Sequence, residues 1–487
     1  MKKIRTRIAP SPTGSPHIGT AYIALLNFCF ARTNNGKVIL RLEDTDRLRS
    51  KRKFEKKILE SLDWLGLKWD EGPDIGGKFG PYRQSERNEI YKKYVEKLIN
   101  SGKVFKCYRT SKELEKLRKC KFDKALKEKD LQLDYKELKF RKKYKWPYVI
   151  RLKVPNKGVC VFNDVLRGKI KMNWSQVDSQ ILIKSDGTPT YHLANVVDDY
   201  LMGISNVIRG EEWINSTPKH KLIYEYLGWK FPEVCHLPLL RNTDRSKLSK
   251  RKQNNSLEYY RKMGYLPQTI RNYLGSIAGI KNSIKENFSI EDINVDLQSI
   301  SLGGPIFDLD KLTWLNGIYI RSMEDKTLIK VMYEWAKDYI YKIFPSIKPR
   351  IKILTDIIPF SEHLFSGLPN LKTEDFKVIS LKTTLQIKVL KVLWLQLEYI
   401  EKWEKVTILY KVKQLSNHFK IKMKTIMAPI FIAINGRLIS TSVIETLGII
   451  GKDITRIRLE QAINILGGIT LEQEKKIIKE YYKKICK

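Results

Sequence analysis

The chain has 487 residues, 42% of them hydrophobic, with 91 Lys and Arg against 53 Asp and Glu and a formal net charge of +38. That length predicts three or more domains and that apolar content excludes wholesale disorder, while the absence of any apolar run near the ~18 residues of a spanning helix excludes a transmembrane segment. The start, Met1-Lys2-Lys3-Ile4-Arg5, has no apolar stretch of secretory type behind it, and six scattered Cys form no disulfide framework, so the cytoplasm is the expected compartment.

In chain order, Ile4–Ala9 reads as a strand, Pro10–Pro16 as a Pro- and Gly-rich loop, and Thr20–Arg32 as a buried helix. Val38–Leu42 reads as the next strand and Phe54–Leu65 as an amphipathic helix. Strand, loop, helix, strand is a βαβ unit and predicts a parallel sheet. Residues 106–147 turn polar and Lys-rich, which suggests an insertion. Val149–Val154 and Gln180–Lys184 read as strands, Thr190–Ser205 as helix and Val207–Arg209 as strand. The parallel-sheet signal thus stops near residue 80 and resumes near 190, as one sheet interrupted by an inserted domain would read. No Gly or Pro occurs between Pro369 and Pro429, and there Leu381, Leu385, Val389, Val392, Leu395, Tyr399 and Trp403 recur at helical spacing, a core-facing seam. Ile454–Leu466 and Leu471–Ile485 are also helical, so 326–487 reads as all-α. The fold class expected is α/β, an interrupted Rossmann-like parallel sheet with an α+β insertion, followed by an all-α C-terminal region.

Two loops carry the chemistry. The strand–loop–helix junction at Pro10–Thr20 aims free backbone N–H groups and the positive end of a helix dipole at an anion. It is not a Walker A loop, and it contains His17-Ile18-Gly19-Thr20. A His there can donate to a phosphate oxygen as charge develops, and Gly19 lets a nucleotide lie against the backbone; an ordinary turn is the plainer reading of the tripeptide alone. The second loop, Arg245-Ser246-Lys247-Leu248-Ser249-Lys250-Arg251-Lys252, is either a solvated charge run or a set of ammoniums that neutralise a triphosphate. The net charge favours nucleic acid as a partner. Lys, Ile, Asn and Tyr are all plentiful, however, as an A- and T-rich coding bias would produce. The basic residues are spread along the chain, which suggests an extended binding face rather than a basic tail.

Together the loops resemble the HIGH and KMSKS signatures of class I aminoacyl-tRNA synthetases. The resemblance narrows to glutamyl-tRNA synthetases of bacterial type on Arg7-Ile8-Ala9-Pro10-Ser11-Pro12-Thr13-Gly14, Arg41-Leu42-Glu43-Asp44-Thr45-Asp46 and Gly80–Arg87. Asp186–Asp199, Val207–Trp213 and Phe307–Leu312 carry it further, so that it runs from residue 5 to about 320, with a weaker helical part behind. It implies ATP-dependent activation of L-glutamate to glutamyl-adenylate, with Mg²⁺ accompanying the ATP phosphates, and transfer to the 3′-terminal ribose of tRNA(Glu), with tRNA(Gln) as a second candidate. By the same resemblance the catalytic set is His17, Gly19, Lys247 and Lys250, and the ATP set adds Glu212, Leu240 and Arg251. Arg7 and Arg209 would grip the glutamate side-chain carboxylate, for which a planar guanidinium is suited. Tyr191 would add a hydroxyl, Ser11 and Glu43 would receive the α-ammonium, Asn195 would face the α-carboxylate, and Ala9 completes the glutamate set.

The implied domains are a catalytic domain at 1–80 and 190–240, an inserted acceptor-end-binding domain at 81–189, a stem-contact domain with the KMSKS-like loop at 241–325, and a helical anticodon-binding domain at 326–487; a monomer is expected. Asp198, Asp199 and His192 read as structural. The sequence departs from the family pattern at Thr20, which stands at the fourth HIGH position. It departs again in the insert, where Cys107-Tyr108-Arg109 keeps a single Cys and Cys120 is off the expected spacing, so no zinc and no other protein-bound metal is expected. A glutaminyl enzyme would end in β-barrels, and a short tRNA-modifying paralogue would lack the helical region. An inactive RNA-binding relic would have lost the loops, and a small-molecule nucleotidyltransferase would not need the helical residues behind the catalytic part.

Overall fold

The computed structural model describes residues 3–120, 125–248, 255–280, 295–437 and 441–485, with side chains to 482. The chain divides into two compact units, Met1–Glu258 with Tyr265–Tyr319, and Tyr259–Gly264 with Ile320–Lys487.

The first unit begins with β1 (Arg5–Ile8), the helix Ile18–Thr33 and β2 (Lys37–Leu40), which pairs parallel with β1 from Arg5↔Lys37 to Ile8↔Leu40. The helix is buried on most of its circumference, as its Ala-, Leu- and Phe-rich sequence requires. It starts two residues before the expected Thr20, because the His17 side chain caps it by accepting from the Gly19 amide. The turn into β2 needs Gly36, where a Cβ would fall 2.6 Å from the Ile4 carbonyl oxygen. β2 stops at Leu40 rather than Leu42 because pairing then changes partner: the Leu42 amide donates to Tyr82 O at 2.9 Å.

The interrupting segment supplies β3 (Val104–Cys107), β4 (Val149–Leu152), β5 (Val159–Asp164), β6 (Gly168–Asn173) and β7 (Ile181–Ile183). An antiparallel sheet runs β3-β4-β7, and β5 and β6 form an antiparallel hairpin. The polar stretch between β3 and β4 folds as the short helices Ser111–Cys120, Glu128–Leu131 and Tyr135–Lys143. The sheet β3-β4-β7 does not close a core of its own. One apolar cluster runs from Ile39 and Tyr91 through Leu152 and Leu182 to Val197 and Val234, and a small satellite of Cys107, Leu126 and Leu131 lies apart from it.

After the helix Tyr191–Leu201, the chain returns to parallel pairing with β8 (Asn206–Gly210) and β9 (Glu233–Leu237), in register from Asn206↔Glu233 to Gly210↔Leu237. The hairpin joins this sheet through Asp164↔Val234, giving the order β6-β5-β9-β8. Arg5 O accepts the Ser205 amide at 3.0 Å, so the start of β8 lies beside β1 and the carboxyl ends of both strands open to the same side. That is where an open parallel α/β sheet places its ligand.

In the second unit every regular element described is helical. The longest are Asp325–Ile347, Thr383–Glu398, Lys405–Phe419, Met423–Asn435, Val443–Ile465 and Leu471–Ile485. Of the expected seam, Val389, Val392 and Leu395 are buried, Leu385 is half-buried and Tyr399 is exposed; Leu381 and Trp403 lie outside the helix Thr383–Glu398. The helix expected from Ile454 begins at Val443 and is broken at Gly451, whose φ of +80° only Gly adopts readily; periodicity shows only the segment after the break. Among the described residues no helix is long and apolar enough to cross a membrane.

Candidate active site

A cavity of about 560 Å³ opens at the carboxyl ends of β1 and β8. Its lining brings together eleven of the residues singled out from the sequence: Arg7, Ala9, Ser11, His17, Gly19, Glu43, Tyr191, Arg209, Glu212, Leu240 and Lys247. Thr20 and Leu248 are there as well. Asn195 is not. It stands behind the wall, its amide nitrogen on the Tyr191 hydroxyl and its oxygen accepting from Arg41 Nη2 at 3.3 Å. Lys250 and Arg251 lie outside the described residues.

One end of the cavity is built for anions. The His17 imidazole accepts the Gly19 amide through Nδ1 at 3.0 Å, so a neutral His17 carries its proton on Nε2, the nitrogen that can donate to a ligand. The loop that carries His17 is tied at both ends: the Glu43 amide donates to Pro10 O, and the Ile18 amide to Asn255 O at 2.7 Å. Lys247 is exposed on a turn held by a bridge to Arg241, which leaves its ammonium at the mouth.

The other end is a set of buried charges. Asp199 Oδ1 accepts from Arg7 Nε at 3.1 Å and from Arg41 Nη1 at 2.7 Å. Burial pushes the Asp199 carboxyl up, but Arg41 and Arg7 outweigh it and hold the group below its ordinary range. Glu43, 3.3 Å from Arg41 Nη2, shows the reverse balance: burial wins over Arg41 and Arg7 and pushes it up to about 7. Arg209 is 6% exposed and donates to Thr217 Oγ1 at 2.9 Å, to His236 Nε2 at 3.1 Å and to His220 Nδ1 at 3.1 Å. Among the described residues none of its hydrogen-bond partners is a carboxylate. Burial accordingly lowers its pKa. A desolvated guanidinium with neutral partners, facing a cavity, can receive a carboxylate.

Asp198 faces away from the cavity and takes Arg87 Nε at 2.7 Å, the Tyr91 hydroxyl at 2.7 Å and Gln84 Nε2 at 3.0 Å. His192 Nδ1 meets His220 Nε2 at 3.0 Å. Sequence reading missed Arg41 and Trp213 as contributors, although both stand in motifs it quotes; the Trp213 ring lies 4.3 Å from that of Tyr191 in the cavity wall. It also missed Thr217, His220, His236 and Asp164, which no local pattern marks.

Residues 3–314 match the family model for class I tRNA synthetases (E and Q), catalytic domain, and residues 324–463 match that for an anticodon binding domain. A glutamate–tRNA ligase of Marinobacter nauticus is 49% identical over 486 residues, covering 98% of this chain and 99% of its own. The chain belongs to the glutamate–tRNA ligase family. Another glutamate–tRNA ligase, of Saccharophagus degradans, is also 49% identical, over 99% of this chain and 97% of its own. A crystal structure of a glutamate tRNA ligase from Elizabethkingia meningosepticum in complex with its amino acid superimposes with a TM-score of 0.63 at 31% identity, covering 95% of this chain and 100% of that one. The glutamate–tRNA ligase family is a family of aminoacyl-tRNA synthetases, so the chain is an enzyme of that class, with a parallel-sheet catalytic part and a helical anticodon-binding part. In this member of the family, Cys107 is buried on β3 and Cys120 is exposed at the end of the helix Ser111–Cys120. Among the described residues no group of three or more His, Cys, Asp or Glu is placed to hold a metal ion.

Proposed function

We propose that the cavity activates L-glutamate with ATP and passes the glutamyl group to the 3′-terminal ribose of tRNA(Glu). The observation that carries this reading is Arg209, buried at the cavity wall, whose hydrogen-bond partners among the described residues include Thr217, His220 and His236 and no carboxylate. The side chain of glutamate supplies one, with Arg7 beside it. Glu43 and Ser11 receive the α-ammonium, which leaves the α-carboxylate facing the His17 loop.

ATP enters as its Mg²⁺ complex, the nucleotide lying over Gly19 between Leu240 and Glu212. An α-carboxylate oxygen of glutamate attacks the α-phosphorus; the bond to the bridging oxygen breaks and pyrophosphate leaves with the electron pair. His17 Nε2–H and Lys247, joined by Lys250 and Arg251, stabilise the negative charge on the phosphates as it develops. Each such group contributes about 2–4 kcal/mol to the barrier reduction. The terminal ribose hydroxyl of tRNA then attacks the adenylate carbonyl, and AMP leaves. By its match to an anticodon binding domain, the helical unit reads the anticodon, where single-stranded bases are recognised by stacking and by edge hydrogen bonds. We further propose domains at 1–80 with 190–240, 81–189, 241–325 and 326–487, and a cytoplasmic monomer.

The test is charging of radiolabelled glutamate onto purified tRNA(Glu) and tRNA(Gln) side by side, with His17→Ala as control. Charging of tRNA(Glu) that is lost in the control supports the reading, and charging of tRNA(Gln) as well extends it to both acceptors. No charging of either acceptor, with His17→Ala binding tRNA as wild type does, overturns it in favour of a relic that only binds RNA.

A further inference from the structure

The partners of Arg209 continue as a chain through the protein interior. A guanidinium can only donate. His236 must therefore present a lone pair at Nε2, 3.1 Å from Arg209 Nε, and His220 a lone pair at Nδ1, 3.1 Å from Arg209 Nη1. Each ring's proton is then on its other nitrogen. For His236 that is Nδ1, which points at Asp164 Oδ2 at 2.6 Å. For His220 it is Nε2, which points at His192 Nδ1 at 3.0 Å. Asp164 is itself fixed: Oδ2 also accepts the His236 amide, and Oδ1 accepts the amides of Leu166 and Arg167, each at 3.0 Å. Thr217, His220, His236 and Asp164 are all at most 4% exposed. The roles of the ring nitrogens of His220 and His236 are assigned once Arg209 is known to be a donor.

We infer that His220 and His236 are positioning residues that set the preference for glutamate. Locked as neutral acceptors, with His192 and Asp164 fixing their tautomers, they aim the Arg209 guanidinium without neutralising it, so its charge is left for the substrate's side-chain carboxylate. The inference rests on the reading that Arg209 meets that carboxylate. An acid in place of either His would aim Arg209 equally well, yet would pair with it internally and remove the reason to select an acid over its amide. The charged surroundings agree with neutral rings. Burial, Arg209 and Lys219 push His220 well below its ordinary pKa and do the same to His192; burial and Arg209 lower His236 against the opposing pull of Asp164.

An isosteric pair tests this. Asn places its side-chain oxygen near His Nδ1, and Asp differs from Asn in charge alone. In a charging assay with tRNA(Glu), we expect His220→Ala to raise the glutamate KM at least about tenfold, the cost of leaving a buried donor unpaired. His220→Asn should recover most of that loss. His220→Asp should raise the glutamate KM by about thirtyfold or more, as expected for losing a buried charge pair with the ligand. The ATP KM should stay near the wild-type value throughout. His236→Gln against His236→Glu repeats the comparison at Nε2 if a His220 variant fails to fold. Equal glutamate KM values in the Asn and Asp variants, or ATP and glutamate KM rising together, would overturn the inference while the reading of the site stands. A wild-type enzyme that charges no glutamate would overturn both.

Discussion

Arg7, from the first strand, and Arg41, from just past the second, donate to the same oxygen of Asp199, at 3.1 and 2.7 Å. Arg7, Arg41 and Asp199 are each at most 4% exposed. The shared acceptor is the knot between the two halves of the catalytic sheet, which are separated in sequence by the insertion. Removing it takes from Arg7 the carboxylate it donates to and leaves Arg41 with Glu43 at 3.3 Å. Asp199→Ala should lower the unfolding free energy by about 3–5 kcal/mol, read from urea denaturation of the full chain. A loss below about 1 kcal/mol would show that the cations find other partners.

Glu43 gives the site a pH dependence. Burial pushes its carboxyl up to about 7 in the free enzyme, so at pH 6 it is mostly protonated. The role proposed for it, receiving the α-ammonium, requires the carboxylate. Glutamate binding at pH 6 should therefore release a proton, and affinity should rise with pH until it levels off above about 7. Calorimetry in buffers of different ionisation enthalpy measures the proton directly, and Glu43→Gln should abolish both the release and the slope. For folding the sign is opposite. A folded-state pKa above the unfolded one contributes stability that is full below the unfolded carboxylate range and lost as pH rises through about 7.

His17 has one role seen in the structure and one proposed, and the two can be separated. Its Nδ1 caps the helix Ile18–Thr33, and its Nε2 is the nitrogen proposed to donate to phosphate. His17→Ala should lose about 1 kcal/mol of stability for the cap and about 10²–10³ in kcat for the donor. His17→Asn keeps an acceptor near Nδ1, so it should recover the stability and not the rate. Recovery of kcat in that variant would show that the residue acts through the helix and not through phosphate.

His363, in the helical unit, is buried between the Thr446 and Thr441 hydroxyls, each close to its Nε2, at 3.0 and 3.2 Å. Burial, with Arg458 and Arg437, holds its pKa at about 4. Since the unfolded chain binds the proton more readily, stability is full above the unfolded His value of about 6.5 and is lost as pH falls toward 4, by roughly 3 kcal/mol over that window. Denaturation midpoints from pH 7 to 4 should fall less steeply in His363→Gln than in wild type. Parallel slopes would assign the acid sensitivity to other groups.

The parts of the site legible in the sequence are those whose geometry is local. The His17 loop and the basic run around Lys247 are each marked within about ten residues, by turn chemistry and by dense charge. The charged wall is different. Arg41 meets Asp199 across 158 residues, and His236 meets Asp164 across 72; neither pair leaves a periodic or spacing signal in the chain. Asn195 shows the limit from the other side: its motif is recognisable, but only the structure places its amide behind the cavity wall, between Arg41 and Tyr191. In the helical unit the seam is legible at Val389–Leu395 because burial there follows the helical repeat, and the break at Gly451 is not, because a single left-handed residue does not disturb the apolar pattern around it.

The wide sequence separation of Arg7 and His236 also sets a schedule. The ribosome delivers Arg7 and Arg41 early, while Asp199 and the acceptors that aim Arg209 are still unmade. At about 5–20 residues per second, the nascent chain carries Arg7 for roughly 10–45 s before His236 is synthesised. Until Asp199 is made, burying Arg7 leaves its charge without that partner, and the donors and acceptors around Arg209 are complete only once His236 has followed.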